Sequence, residues 1–422
     1  MIDIEYIRQH PKEVQKNCER RRMDIRITEL LELDDQRRAA IGAVDDLRRR
    51  RNSIAEQLKA SKGADQSLVE EGKQLKEELA QLESAAEAAH SAFQELYLQV
   101  PNMTHPDVPH GMEEADSVEL SRFLEPTTFD FEPKDHVVLG ADLDILDFER
   151  GAEVAGRGFY YKKGGLAILE TALIQFAMQK AIAAGFTPMI TPDVAKHEIL
   201  QGTGYNPRGN ETQIYSLEGT DLGLVATAEI PVAGYFKKRV FEAGELDTPQ
   251  RIVALSHCFR TEDGAYGKES RGLYRVHQFA KVELFVVCKP EDSAAEHEAI
   301  RALEEDIMQS LELPYRLVDI CDADLGASAY RKYDIEAWMP FKNDFGEVTS
   351  ASNCTDYQSR RLNMFYKTAN GTKELTHTLN GTAVALSRLP IAILENGQQA
   401  DGSIRIPSAL HPYTFGMTVI SA

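Results

Sequence analysis

Apolar residues recur at intervals of three and four along the first quarter of the chain, and that spacing predicts two long helices. From Thr28 to Ser61 the series is Leu30, Leu33, Ile41, Val44, Leu47, Ile54 and Leu58. A break follows at Lys62-Gly63-Ala64-Asp65. A second series then runs through Leu68, Gly72, Leu75, Leu79, Leu82, Ala86, Ala89, Phe93 and Leu96. Heptad helices joined by a short glycine-containing turn predict an antiparallel coiled-coil hairpin over about 28–98, each arm roughly 50 Å long. A short leading helix is expected within 1–25, with Tyr6 and Ile7 on one face. Three prolines between Val100 and Gly111 end the hairpin and open a linker, 101–111. Beyond it, strand-like runs alternate with helical ones such as Gly165 to Ala184 and Pro290 to Leu311. The expected fold is α+β: an N-terminal hairpin domain over 1–100 and a second domain over 112–422, built on a largely antiparallel sheet flanked by helices. Neither G-x-G-x-x-G nor a P-loop occurs.

Composition sharpens this picture in part. The chain has 422 residues and a net charge of −20, which at first sight argues against a nucleic-acid partner. Local charge differs from total charge, however. Basic runs occur at Arg20–Arg22, at Arg48, Arg49, Arg50 and Arg51, and then at Lys59 and Lys62. The four arginines approach the hairpin tip and cannot all face its seam. Five scattered cysteines without a CxxC or a Cys/His spacing predict no zinc and no disulfide, which fits a reducing cytoplasm. The N-terminus lacks the pattern of a secretory signal, and no stretch approaches the roughly 20 apolar residues of a membrane span.

Phe259 to Glu283 carries most of the candidate chemistry. Two β-prone runs, Ile252 to Arg260 and Tyr274 to Cys288, flank a polar loop with Gly264 and Gly267. Arg260 and Glu262, two apart at a strand end, are expected on one face. Arg271 and Arg275 stand across the loop. Converging guanidinium groups need polyanionic company, and a phosphate chain is the natural candidate. Glu262 then accepts from a base amino group. Near the C-terminus, Ala385 to Leu394 reads as a buried helix containing Arg388. A ligand phosphate or a structural carboxylate is its required partner.

The run FRTEDG…RGLYRVHQFAKVE resembles the second motif of the class II aminoacyl-tRNA synthetases, in the wording of the seryl-tRNA synthetases. HTLNGTAVALSRLP from His377 resembles the third motif, PMITPDV around Pro192 the first, LVATAEIP the serine loop, and EVTSASN from Glu347 the metal and ATP segment. EVTS stands where many members have EISS, and Thr382 where serine is common; neither change removes a functional group. The resemblance implies ATP contacts from Arg260, Glu262, Arg275, Val276, Phe279, Glu347, Val348, Thr349, Ser350 and Arg388, with Arg260, Glu262 and Arg388 catalytic. It implies a serine pocket of Thr227, Glu229, Arg260, Glu283, Asn380 and Thr382. Mg²⁺ falls to Glu347 and Ser350. The partners implied are ATP, L-serine and tRNA(Ser), with tRNA(Sec) where present. The tRNA is held by the arm residues Arg48 to Arg51, Lys59 and Lys62. The chain is expected to be a homodimer, off the membrane.

Two alternatives stand beside a serine–tRNA ligase. An amino acid:carrier-protein ligase shares such a core but dispenses with the arm, which is intact here. An inactive tRNA-binding paralogue has no need of Arg260, Glu262, Glu283, Glu347 and Arg388.

Overall fold

The computed structural model describes residues 1–60, 65–205, 213–262 and 271–421. Lys62, Gly63 and Ala64 of the expected hairpin turn lie outside the described residues, as do Gly264 and Gly267. Two compact units divide between Met103 and Thr104.

In the first unit the leading segment forms two helices rather than one, α1 (Ile4–Gln9) and α2 (Pro11–Arg20), because His10-Pro11 restarts the helix. The hairpin arms are α3 (Ile27–Ala60) and α4 (Gln66–Tyr97). Asp65 caps α4 by accepting from the Ser67 and Leu68 amides. Leu30, Val44 and Ile54 of one arm and Leu75, Leu79 and Phe93 of the other are buried, whereas Ile41 is exposed. Arg21 departs from the expected basic surface. It is buried, and its Nη1 donates to the Asn102 carbonyl at 2.9 Å.

The second unit holds an eight-stranded sheet. Its strands are β1 (Val118–Phe123), β2 (Thr187–Ile190), β3 (Gln250–Phe259), β4 (Gln278–Cys288), β5 (Tyr315–Asp319), β6 (Arg331–Met339), β7 (Asp344–Thr355) and β8 (His377–Ala385). The spatial order is β1-β5-β6-β7-β8-β4-β3-β2, antiparallel throughout except for the β2–β3 pair. This bears out the expected α+β fold with a largely antiparallel sheet. Helices α5 (Gly164–Ala183) and α6 (Ser293–Ser310) cover one face. Side chains alternate along β4. Val282, Leu284, Val286 and Cys288 enter the helical core, and Phe279, Lys281 and Glu283 point to the other face.

Three expectations are corrected. First, β3 ends at Phe259, so Arg260 and Glu262 lie beyond the strand, where the Glu262 amide donates to Gln213 Oε1 at 3.0 Å. Glu262 takes φ +52°, the left-handed region. Secondly, Ala385 stays in the β8 ladder opposite Lys281, and the helix starts only at Arg388, as α7 (Arg388–Gly397). Thirdly, α5 is one stretch long and apolar enough to cross a bilayer. In the fold it is a core helix: Leu166, Leu169, Leu173 and Phe176 pack in the main hydrophobic cluster. Residues after Thr104 pack on the second unit, with the His105 amide donating to the Tyr330 carbonyl and Gly111 to Asp322.

Candidate active site

The polar face of the sheet opens into a cleft of about 710 Å³. Arg260, Lys281, Glu347, Ser350 and Arg388 line both this cleft and a smaller recess continuous with it. The recess adds Glu262, Val276, Phe279, Val348, Thr349 and Thr382. The cleft adds Arg275, Glu229, Glu283 and Asn380. The expected ATP and serine residues therefore come together, except that Thr227 lies fully buried beneath the wall.

The hairpin backbone sets Arg260. Its amide donates to the His277 carbonyl at 3.0 Å, and His277 Nδ1 returns a contact to the Arg260 carbonyl. The guanidinium lies 5.2 Å from the Phe279 ring centroid, a cation–π distance that leaves its N–H groups to the cleft. Arg275 pairs with Glu262 at 3.1 Å. At the neighbouring end, Arg388 lies over the Tyr274 ring at 4.6 Å and reaches Glu347 Oε2 at 2.9 Å. Of the two partners left open for Arg388, the structure supplies the carboxylate. Burial alone raises the Glu347 carboxyl, but Arg388, Lys332 and Arg260 outweigh it and hold the group ionised well below the usual range.

Glu347 and Ser350 are three residues apart, and regular alternation would put them on opposite faces. The β6–β7 register skips at Val348, pairing Ile335 with Thr349 and Glu336 with Glu347. This bulge turns the Glu347 side chain to the Ser350 face. The result is a carboxylate and a hydroxyl on one wall, a hard oxygen set that fits Mg²⁺.

A different chemistry occupies the far end. Glu229 Oε1 accepts from Gln358 Nε2 at 2.6 Å and from Asn380 Nδ2 at 3.0 Å. Glu283 pairs with Lys281 at 2.7 Å and bonds with the Thr227 side chain. Burial, then the charge of Glu283, pushes Glu229 up to about 7. Burial raises Glu283 too, with Lys281 pulling it back. Two buried acids above their ordinary range make a pocket that gains from a cation. Lys281, Tyr274 and Gln358 were not among the expected site residues. Only Lys281 had a sequence signal, since it alternates with Phe279 and Glu283 along β4.

The four arm arginines are exposed, and three of them form ion pairs. Arg48 meets Glu83 at 2.8 Å and Arg50 meets Glu71 at 2.5 Å, across to α4; Arg49 pairs with Asp46 on its own helix. Arg51 contacts Asn52. Lys59 is exposed near the end of α3, and Lys62 lies outside the described residues.

Comparison with known proteins agrees with this geometry. Residues 1–104 match the family model of the seryl-tRNA synthetase N-terminal domain. Residues 214–397 match that of the class II tRNA synthetase core domain for G, H, P, S and T. The serine–tRNA ligase of Treponema denticola is 49% identical over 417 residues, covering 98% of each chain. That of Dictyoglomus thermophilum is 50% identical over 420 residues, again with 98% of each covered. Among solved structures, the seryl-tRNA synthetase of Pyrococcus horikoshii complexed with ATP superposes with a TM-score of 0.87. It is 38% identical, with 100% of this chain and 99% of that one covered. The chain belongs to the seryl-tRNA synthetase family.

Proposed function

We propose that the cleft joins L-serine to ATP and that the hairpin arm presents tRNA(Ser) for the transfer step. The chain is a serine–tRNA ligase of class II. What supports the residue roles is the polarity of the cleft. Arginines and an ionised carboxylate stand at one end, and two buried carboxyls held above their ordinary range at the other.

The serine carboxylate attacks the α-phosphate of ATP, forming an O–P bond and releasing pyrophosphate. No covalent enzyme intermediate is needed, so catalysis is positioning plus charge neutralisation. Arg260 grips the α-phosphate, where charge rearranges. Arg388 holds the leaving pyrophosphate, exchanging its Glu347 partner for phosphate oxygens. Glu347 and Ser350 would hold Mg²⁺, which would supply further positive charge against the phosphate oxygens. Glu262, steadied by Arg275, reads the adenine amino group, and the ring stacks on Phe279 beside Val276. Glu229 and Glu283 take the serine ammonium, while Asn380, Thr382 and Thr227 surround the side chain. A pocket built for a hydroxyl rejects alanine, because its polar groups would be left unpaired. The terminal ribose hydroxyl of tRNA then attacks the acyl carbonyl and AMP leaves. The same acceptor reading extends to tRNA(Sec) where that tRNA exists. Retention of an N-terminal seryl-type domain speaks against a carrier-protein ligase.

A homodimer in the cytoplasm is part of the same proposal. Ile190 ends the edge strand β2 two residues before Pro192 and is 98% exposed, an apolar position that a second copy would cover. Serine-dependent ATP–pyrophosphate exchange, with aminoacylation of total tRNA measured beside it, tests the reaction. Exchange with serine alone and charging on addition of tRNA is the expected outcome.

A further inference from the structure

We propose that Glu304, on the helix behind the sheet, is a positioning residue that holds the serine pocket and the ATP–metal segment in a common register. The proposal rests on the assignment of those two segments given above. β7 and β8 pair from Thr355–Thr378 to Ala351–Gly381. Both strands run on past that point, to Asp344 and Ala385, but no ladder joins them there. Each also bulges in this stretch, β7 at Val348 against β6 and β8 at Ala383 against β4. Bulges leave main-chain groups without ladder partners and bend the strand. The two strands thus part under the cleft, and main-chain hydrogen bonds do not set the width of the gap.

Glu304 sits at that gap. It is 1% exposed, on a helix whose neighbouring inward residues Ile300, Leu303 and Ile307 are apolar. Thr349 Oγ1 donates to its Oε2 at 2.9 Å. Its other oxygen, Oε1, makes no hydrogen bond among the described residues. Its Oε1 lies so close under β8 that a Cβ on Gly381 would come within 2.7 Å of it. One side chain therefore bonds to β7 and lies directly under β8. Thr349 adjoins Ser350, and Gly381 adjoins Thr382, which is assigned to the serine pocket. An apolar side chain would fill this site at lower desolvation cost, so a carboxyl here is explained by the two strands it meets. Burial, reinforced by Glu283 and Asp334 nearby, keeps it protonated well above the ordinary range. A neutral amide is then its closest substitute.

The test compares Glu304→Gln with Glu304→Met in ATP–pyrophosphate exchange, with fold checked by circular dichroism and melting. Gln offers one acceptor and one donor and should keep kcat and both KM values within about threefold of wild type. Met keeps the volume without the bond to Thr349. It should lower kcat about tenfold or more and raise KM for serine and for ATP together, as removal of an outer supporting group does. A folded Glu304→Met enzyme with wild-type kinetics overturns the proposal. So does a Gln variant as impaired as Met. Thr382→Ala and Glu347→Gln serve as controls. Unchanged exchange in both would overturn the assignment of the two segments, whereas their loss beside a normal Glu304→Met would overturn only the positioning role.

Discussion

Arg388 Nη1 lies 2.9 Å from Glu347 Oε2 and 3.2 Å from the Glu347 carbonyl oxygen. The first residue of α7 and the bulged stretch of β7 are thereby tied at the point assigned to pyrophosphate and metal. Arg388→Met should lower kcat/KM for exchange at least about 100-fold, roughly 3 kcal/mol of transition-state stabilisation. Stability should change far less, because the Glu347 side chain is 36% exposed and keeps solvent contact. Glu347→Gln should instead move the Mg²⁺ dependence of exchange to higher concentration. Kinetics and melting curves on both variants check the pair.

Glu229 makes the serine pocket sensitive to pH. Its folded-state value, about 7, is raised from the ordinary 4.5, so between those limits the folded state holds a proton that the unfolded state has released. The stability tied to this group is complete below about 4.5 and is lost as pH rises to about 7. Relative to Glu229→Gln, the wild type should lose stability over that window and level off above it. A bound ammonium favours the ionised carboxylate. Serine binding near pH 6 should therefore expel a proton, and serine affinity should fall up to about tenfold per pH unit below 7. Calorimetry in two buffers of different ionisation enthalpy reads the proton release. Binding heats that do not depend on the buffer would contradict the assignment.

Replacing Arg48, Arg49, Arg50 and Arg51 by glutamine should weaken tRNA binding and flatten its salt dependence. The slope should fall by roughly one unit, or somewhat less, for each phosphate that the arm no longer neutralises. Their ion pairs with Glu83, Asp46 and Glu71 are solvent-exposed, and each contributes only about 0.2–1 kcal/mol. Melting should move little and serine-dependent exchange not at all. Deleting the hairpin, about 28–98, should likewise leave adenylation and abolish transfer. Titrations at several salt concentrations decide the matter, since a merely solvated charged face gives an unchanged slope.

Gly381→Ala should be destabilising by about 1–3 kcal/mol and should raise serine KM. Its Cβ would lie 2.3 Å from Ile300 Cγ2 and 2.7 Å from Glu304 Oε1, so α6 and β8 must separate. A variant with wild-type melting and kinetics would show that this wall yields without cost.

The hairpin arms were legible because their heptads are long and regular, and β3 and β4 because their β-prone runs flank a polar loop. Other features were hidden by physics that no short window contains. Alternation puts Glu347 and Ser350 on opposite faces, and only the skipped pairing at Val348 reverses this. Glu304 is 45 residues from Thr349 in sequence and reads as one more charge on an amphipathic helix. The acids that pair with Arg48 and Arg50 lie on the other arm, so the basic run looked more available than it is. Ala385 to Leu394 reads as one helix around Arg388 because it is apolar apart from Ser387 and Arg388, and apolarity alone does not separate the end of a buried strand from the helix that follows.

Amino-acid-dependent ATP–pyrophosphate exchange, run over all twenty amino acids on wild type and on Arg260→Ala, probes the assignment of this cleft with the fewest assumptions. Arg260 lies over Phe279 in the cleft wall, with its side chain turned to the cleft rather than into the core, so its removal should spare the fold. Exchange should be stimulated by serine above the other amino acids, and Arg260→Ala should lose about two orders of magnitude or more while melting as wild type does. Exchange indifferent to serine, or retained by a folded Arg260→Ala enzyme, would contradict the proposed site.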